Sequence, residues 1–299
     1  MSIYEAPIKK GDMSKDSLVH SLRQFLPKDA VLSDPEDTGP YECDGLSAYR
    51  VEPWVIAMPD SIEQVQAIMR ICHAHEIPVI ARGAGTGLSG GALPRDNCLL
   101  LSLAKFKSIL DIDPVNCTAR VQPGVTNLAI STASKQYGLY YAPDPSSQIA
   151  CSIGGNVAEN SGGVHCLKYG LTVNNVQQIT IVTMDGELVT FGGSGFDGPG
   201  YDLLALFNGS EGMLGIVVDI TVNLLPIPEH AKVLMAAFND VEAAGKAVAA
   251  IIAAGIIPAG LEMMDNLAIQ AAEDFAKVGY PIQAAAILLC ELDGLSLIH

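Results

Sequence analysis

Basic residues are scarce in this chain: 17 Lys and Arg stand against 33 Asp and Glu, a formal charge of −16 over 299 residues. Such a field repels nucleic acid and anionic membrane surfaces, so nucleic acid is excluded as a partner. Paired cysteines are also missing. Cys43, Cys72, Cys98, Cys117, Cys151, Cys166 and Cys290 stand singly, with no CxxC and no Cys/His cluster at zinc-ligand spacing. Neither a disulfide framework nor a metal site is therefore encoded, and the cysteines read as reduced thiols. Long apolar runs are absent too: the longest, Ala247 to Ile257, falls well short of the ~20 residues that span a bilayer. The first 17 residues lack an apolar centre and a small-residue cleavage pattern, so no secretory signal and a cytoplasmic protein are expected. With 49% hydrophobic and only 17% charged residues, the chain is not disordered.

What the chain has in excess is glycine, 29 residues gathered into a few windows. Around them the periodicity predicts a helix over 17–26 and a turn-rich arm, then a βαβ unit (strand 54–59, helix 62–75 capped by Asp60 or Ser61, strand 77–81). Strands at 97–103 and 117–124, a helix from Thr126 to Tyr137, an extended stretch over 139–147 and strands at 177–183 and 215–225 follow. Beyond Pro228 the composition turns to alanine. Strands 232–238, 260–264 and 284–292 alternate there with helices 241–254 and 266–278, stopped by Gly255 and Gly279. Three strands and two helices leave an open layer, so this domain is expected to continue past residue 299.

The first glycine cluster, Ala81 to Pro94, carries Gly83, Gly85, Gly87, Gly90 and Gly91 directly after a strand, with Arg82, Thr86 and Ser89 as polar groups. Without Cβ atoms, its backbone N–H groups can approach a phosphate closely. Residues 85–90 even fit GxGxxG, with Asp111 about 20 residues on. A nicotinamide-type loop must open a helix, however, and here Pro94 and another strand follow. The second region, 143–170, sets Gly154-Gly155 and Gly162-Gly163 among Ser146, Ser147, Ser152, Asn156 and Asn160, which suits the edge of a flat heterocycle and its sugar chain. The third places Gly209, Gly212 and Gly215 before a β-branched strand, freeing the main chain at Ile216 and Val217 to meet a purine edge. A fourth stretch, 191–202, shows no polar convergence and reads as a surface loop. One large dinucleotide on a fold that is not Rossmann is what these loops imply.

The order of these strings, PVIARGAGTGLSGGALP, then PDPSSQIACSIGGNVAENSGG with KYG at Lys168 to Gly170, then NGSEGMLGIV, resembles the FAD-binding PCMH-type domain of the vanillyl-alcohol oxidase superfamily. YECDGLSAYR (Tyr41 to Arg50) and GLEMMDN (Gly260 to Asn266) narrow the resemblance to the glycolate oxidase (glycolate dehydrogenase) D-subunit family, among the FAD-linked 2-hydroxy acid dehydrogenases. The resemblance covers nearly the whole chain up to about Gly294. It implies an α+β fold: an N-terminal helix and arm over 1–52, a PCMH-type domain of two α/β subdomains over 53–228, and the beginning of an α+β substrate or cap domain over 229–299.

By the same resemblance, Arg82, Gly83, Ala84, Gly85, Thr86, Gly87, Leu88, Ser89, Gly90 and Gly91 wrap the FAD pyrophosphate. Pro145, Ser146, Ser147, Ser152, Gly154, Gly155 and Asn156 run along the flavin and ribityl side. Asn160, Gly162 and Gly163 continue the wrap, Tyr169 belongs to the cofactor-binding set through its KYG string, and Glu211, Gly212, Gly215, Ile216 and Val217 hold the adenosine end. Some members attach the flavin through a histidine in the first loop or a cysteine in the second. Here the first loop has no histidine and the second position is Ala150, with Cys151 one residue off. Non-covalent FAD is expected, with Cys151 as the alternative.

The implied reaction takes a hydride from C2 of glycolate or D-lactate to flavin N5 while a base takes the hydroxyl proton. Electrons would leave through a second flavin-domain subunit and an iron-sulfur subunit, with the complex peripheral at the inner membrane. The branch's histidine-rich catalytic motif is absent from these 299 residues, so catalytic groups are expected beyond them and the chain alone is expected to be inactive. LSLIH, the last five residues, departs from the family pattern and reads as adapter-derived sequence. His165 is expected near the flavin or in a structural role, and a non-catalytic FAD-binding subunit stays open as the alternative.

Overall fold

The computed structural model describes residues 13–193, 195 and 200–294. The LSLIH string and part of the fourth glycine stretch lie outside the described residues. Fourteen strands form four sheets among the described residues, and each sheet follows from the hydrophobic pattern of its segments.

The first sheet contains β1 (Val31–Leu32), β2 (Val55–Ala57), β3 (Val79–Arg82) and β4 (Leu99–Ser102), in the order β1-β2-β4-β3. β2, β4 and β3 are parallel, and β1 pairs antiparallel with β2 at the edge. β4 is flanked on both sides and buried along its length, which is why it reads as an uninterrupted apolar run rather than an alternating one. The crossover from β2 to β3 is the helix Ile62–Ala74. Ser61 caps it by accepting from the Gln64 N–H, and Val65, Ile68, Met69 and Cys72 line its buried face at helical spacing. Burial pushes the Cys72 thiol up to about 12, so it is an inert core residue. The helix Lys15–Leu22, capped by Ser14, adds Leu18, Val19 and Leu22 to the same core.

The second sheet is antiparallel, in the order β5-β6-β10-β8-β9. Its strands are β5 (Ile109–Asp113), β6 (Thr118–Val121), β8 (Val176–Val182), β9 (Leu188–Gly192) and β10 (Ile216–Asn223). A short pair, β7 (Leu139–Tyr140) with β11 (Leu225–Pro226), stands apart. Within the larger sheet Asp219 is buried on β10, and Arg120 of β6 meets it with two N–H groups at 2.7 and 3.0 Å. At the β8 to β9 turn the Gly186 carbonyl accepts from Gln66 at 2.8 Å and Arg70 at 3.0 Å, which fastens the second sheet to the crossover helix of the first. Val182, Ile216 and Val218 of the second sheet also join the first core.

The third layer is the antiparallel sheet β12 (His230–Phe238), β14 (Ala286–Gly294) and β13 (Gly260–Asp265), with β14 in the middle. The helices Val241–Ala253 and Asn266–Ala276 each open on an aspartate cap, Asp240 and Asp265. Several features differ from the sequence-based expectation, among them the start of the fourth glycine stretch, where Phe191 and Gly192 belong to β9. Residues 153–159 form a helix in what reads as a glycine loop, and β5 holds Asp111 as an edge-strand residue.

Candidate functional site

A cleft of about 330 Å³ opens at the carboxyl ends of β3 and β4, the position where parallel strands leave room for a ligand. All three glycine-rich loops reach it. From the first come Arg82, Gly83, Ala84, Gly85, Thr86, Gly87, Leu88 and Gly91; from the second Ser146, Ser147, Ser152, Gly154, Gly155 and Asn156; from the third Glu211, Gly212, Gly215, Ile216 and Val217.

The short helix Ile153–Glu159 organises them. At its start, the Ser152 hydroxyl accepts from the Gly155 N–H, and Gly83 packs so tightly on that hydroxyl that a Cβ would overlap it. Gly154 donates to the Pro123 carbonyl at 2.8 Å, an approach that a Cβ 2.6 Å from the Pro123 ring would block. At its end, the carbonyls of Val157 and Ala158 accept from Gly209 and Glu211, both at 2.8 Å, which fixes the third loop. Asn156, fully buried, accepts from Asn127 at 3.1 Å and donates to Ser161 at 3.2 Å and the Cys151 sulfur at 3.3 Å; Asn127 also donates to the Pro143 carbonyl at 2.9 Å. This amide network holds the wall between the Pro143 turn and the helix.

The glycines divide by role. Gly83, Gly154 and Gly215 are small because protein atoms press on them. Gly87 and Gly212 are not pressed in this way: a Cβ would meet only Glu159 Oε1 at 4.0 Å and Ala81 Cβ at 3.5 Å, ordinary contacts, while Gly212 also has a positive φ of 75° that favours glycine. A bare backbone facing an open cleft is what a dinucleotide with two phosphates requires, and the residues fit such a group. On the flank opposite β8, β6 pairs with β10 only from Ile220 onward, so the backbone at Ile216 and Val217 has no strand beside it there.

Arg82 lines the cleft, but its guanidinium turns back beneath the loop. It donates to the Cys43 carbonyl at 2.8 Å and lies 5.4 Å from the centre of the Tyr41 ring, while Gly45 packs against the carbonyls of Thr86 and Gly87. The Tyr41 to Arg50 string thus backs the first glycine loop. Ser89, Gly90, Pro145, Asn160, Gly162, Gly163 and Tyr169 are not brought to the cleft wall. Asn160 takes a left-handed turn and accepts from Val173, while Gly162 and Gly163 pack on Leu171 and on the Asp144 backbone. Cleft residues that sequence reasoning passed over include Glu159, Ser161 and Ser210, polar groups one or two positions from residues it chose.

Tyr169 faces the third sheet. Its hydroxyl donates to Asp293 of β14 at 2.5 Å, and Lys168 pairs with the same carboxylate. Burial and the Asp293 bond push the Tyr169 hydroxyl up to about 12. Beside them His165 bridges Asp144 at 2.6 Å and Glu291 of β14 at 3.4 Å. Burial opposes charge on His165, yet Asp144 and Glu291 outweigh it and raise its pKa above the ordinary 6.5. Burial likewise opposes charge on Asp293, but Lys168 and Tyr169 hold it below 3.8.

The His165 contribution is complete below 6.5 and fades as pH rises through its raised value; that of Asp293 is complete above 3.8 and fades as pH falls through its lowered value. The junction is therefore tightest at mildly acid pH. Amide exchange in β14 is expected to speed up as pH rises past the histidine range, beyond the intrinsic rate increase, and His165→Gln should abolish that excess. An unchanged excess in the variant would remove His165 as its source.

The family model "FAD binding domain" matches residues 53–192, and "FAD linked oxidases, C-terminal domain" matches 227–297. The glycolate oxidase subunit GlcD of Escherichia coli (strain K12) is 62% identical over 283 residues, covering 95% of this chain and 57% of that protein. The chain is thus built of the two domains of FAD-linked oxidases and is similar in sequence to GlcD glycolate oxidase subunits. The D-lactate dehydrogenase of Anaerostipes hadrus is 32% identical over 285 residues, 93% of this chain and 60% of that protein. The chain thus spans about three-fifths of the length of these curated relatives. Among solved structures, an alkyldihydroxyacetonephosphate synthase superposes with a TM-score of 0.81 at 19% identity over 98% of this chain and 58% of its own, a likeness of fold alone.

FAD is the cofactor that the matched domain binds. The Arg82 bracket can be tested with it: Arg82→Lys keeps the charge but loses the planar fork and the ring contact, and is expected to weaken FAD binding about tenfold in a flavin-fluorescence titration. Unaltered affinity would mean that the arm does not support the loop. Among the described residues no three His, Cys, Asp or Glu side chains gather into a metal-ion group, and no helix is long and apolar enough to cross a membrane.

Proposed function

We propose that this chain forms the FAD-holding part of an enzyme that oxidises glycolate, or a related short 2-hydroxy acid such as D-lactate, to the 2-oxo acid. The observation that carries the reading is the 62% identity to a glycolate oxidase subunit over 95% of the chain. Bound FAD would accept the hydride from C2 of the acid. The chain's own residues bind and orient the cofactor: bare backbone at Gly87 and Gly212, and the Asn127–Asn156 network behind the Ser146–Ser147 side. Domain limits of 53–228 for cofactor binding and 229 onward for the substrate side belong to the same reading. The cofactor is read as held without a covalent bond; Cys151, which lines the cleft and whose sulfur accepts from Asn156, is the alternative point of attachment.

The GlcD relatives are named as subunits, which supports companion chains; we take these to be a second flavin-domain subunit and an iron-sulfur subunit that receive the electrons and make any membrane contact. We place the substrate-binding and base residues in the remainder of the full-length protein, a reading that the greater length of the relatives supports. The 299-residue chain should take up FAD, show absorbance near 450 nm and release the flavin on acid precipitation, without bleaching by glycolate. Residues 1–294 continued with the corresponding remainder of the Escherichia coli relative should reduce dye with glycolate. A colourless chain after refolding with FAD would overturn the flavin reading, and a chimera that holds FAD but ignores both glycolate and D-lactate would overturn the substrate.

A further inference from the structure

Glu159 is a carboxylate where a diphosphate-binding cleft would be expected to avoid one, and it has a second partner that explains its presence. It closes the helix Ile153–Glu159, lines the cleft, and accepts from the Ser89 hydroxyl at 2.5 Å through Oε2. Its Oε1 lies so close to Gly91 that a Cβ there would collide with it, and 4.0 Å from where a Cβ of Gly87 would stand. Gly87 and Gly91 face the cleft, whereas Ser89, between them, does not. The Ser89–Glu159 bond therefore ties the tip of the first loop to the far end of the helix that forms the opposite wall. The same helix grips the base of that loop through Ser152 against Gly83, so the loop is held at both ends by one element.

We propose that Glu159 is a positioning residue that latches the first glycine loop over the diphosphate of bound FAD through Ser89. The proposal rests on the FAD reading of the cleft. A latch slows departure more than arrival, since the loop must open again before the cofactor leaves. The hydrogen bond is the working part, and the charge is a cost beside two phosphates.

The test measures FAD association and dissociation rates by stopped-flow flavin fluorescence on the 299-residue chain. Ser89→Ala and Glu159→Ala should each raise the dissociation rate about tenfold, with association within twofold, and the double variant should be no faster than either single. Ser89→Thr should remain near the unaltered chain. Glu159→Gln should dissociate no faster than the unaltered chain, because its amide oxygen still accepts the hydroxyl while the negative charge is gone. Unchanged dissociation in the alanine variants, multiplied effects in the double variant, or a Glu159→Gln chain as leaky as Glu159→Ala would each overturn the latch. Failure of the unaltered chain to take up FAD would remove the FAD reading and the latch together, whereas uptake with unchanged rates removes the latch alone.

Discussion

Gly163→Val is expected to lower the thermal midpoint of the chain by roughly 6 to 12 °C, the counterpart of about 3 kcal/mol in a protein of this size. A Cβ at Gly163 would overlap the carbonyl of Asp144, which is backbone and cannot swing aside as a long side chain would. Relief requires moving the Asp144 turn, and that turn carries the Asp144–His165 pair together with Pro145, Ser146 and Ser147. FAD affinity should fall in the same variant, through displacement of the Ser146–Ser147 side of the cleft. Differential scanning fluorimetry with and without FAD separates the two effects. A variant with an unchanged midpoint and weakened FAD would show that Gly163 serves the cofactor directly, as its place in the family motif suggests, and not the packing.

Asn156→Leu should cost about 2 to 4 kcal/mol of stability and weaken FAD by more than tenfold. Leucine keeps the branching of asparagine but is bulkier and cannot hydrogen-bond, so lost hydrogen bonds and overpacking of a buried site act together. Without the Asn156 amide, one buried Asn127 hydrogen loses its acceptor, and the Ser161 hydroxyl and Cys151 sulfur lose a donor. These groups belong to four segments that meet at the cleft: the helix Asn127–Ser134, the Pro143 turn, the entry to the helix Ile153–Glu159, and the residues after it. Urea unfolding gives the stability change and a fluorescence titration gives the affinity. A loss below about 0.5 kcal/mol would mean that water replaces the amide without cost and that the network is not what orders the wall.

The elements that could be read directly were those whose own residues decide them. The crossover helix announces itself by Ser61, by its apolar spacing and by the turn that follows, and β4 by an apolar run too short for a helix. The helix Ile153–Glu159 was hidden because two adjacent glycines each cost about 1 kcal/mol of helix propensity. Tertiary needs override that cost: Gly154 must meet Pro123, and Ile153 and Val157 are buried. The three-loop convergence was legible because glycine clustering is a local signal. The role of Arg82 was not, since its partner Cys43 lies 39 residues away. Tyr169 and Lys168 find Asp293 more than 120 residues away, so no local pattern could separate a cofactor contact from a junction contact. Glu159 escaped notice because its partner Ser89 lies 70 residues away, on another loop.

The third sheet carries a consequence for how the protein is made. Among the described residues β12 and β13 pair with β14 and not with each other, so the strand partner of both comes with residues 286–294. At translation rates of about 5 to 20 residues per second, the segment from Phe238 to Ala286 takes roughly 2 to 10 s to emerge. Throughout that interval the ribosome presents β12 with Val233, Leu234 and Met235 along an unmatched backbone edge, the kind of surface that chaperones bind and that neighbouring nascent chains pair with. Yield of this chain in a cell should therefore respond to translation speed between these two strands more than to any property of the finished cofactor cleft.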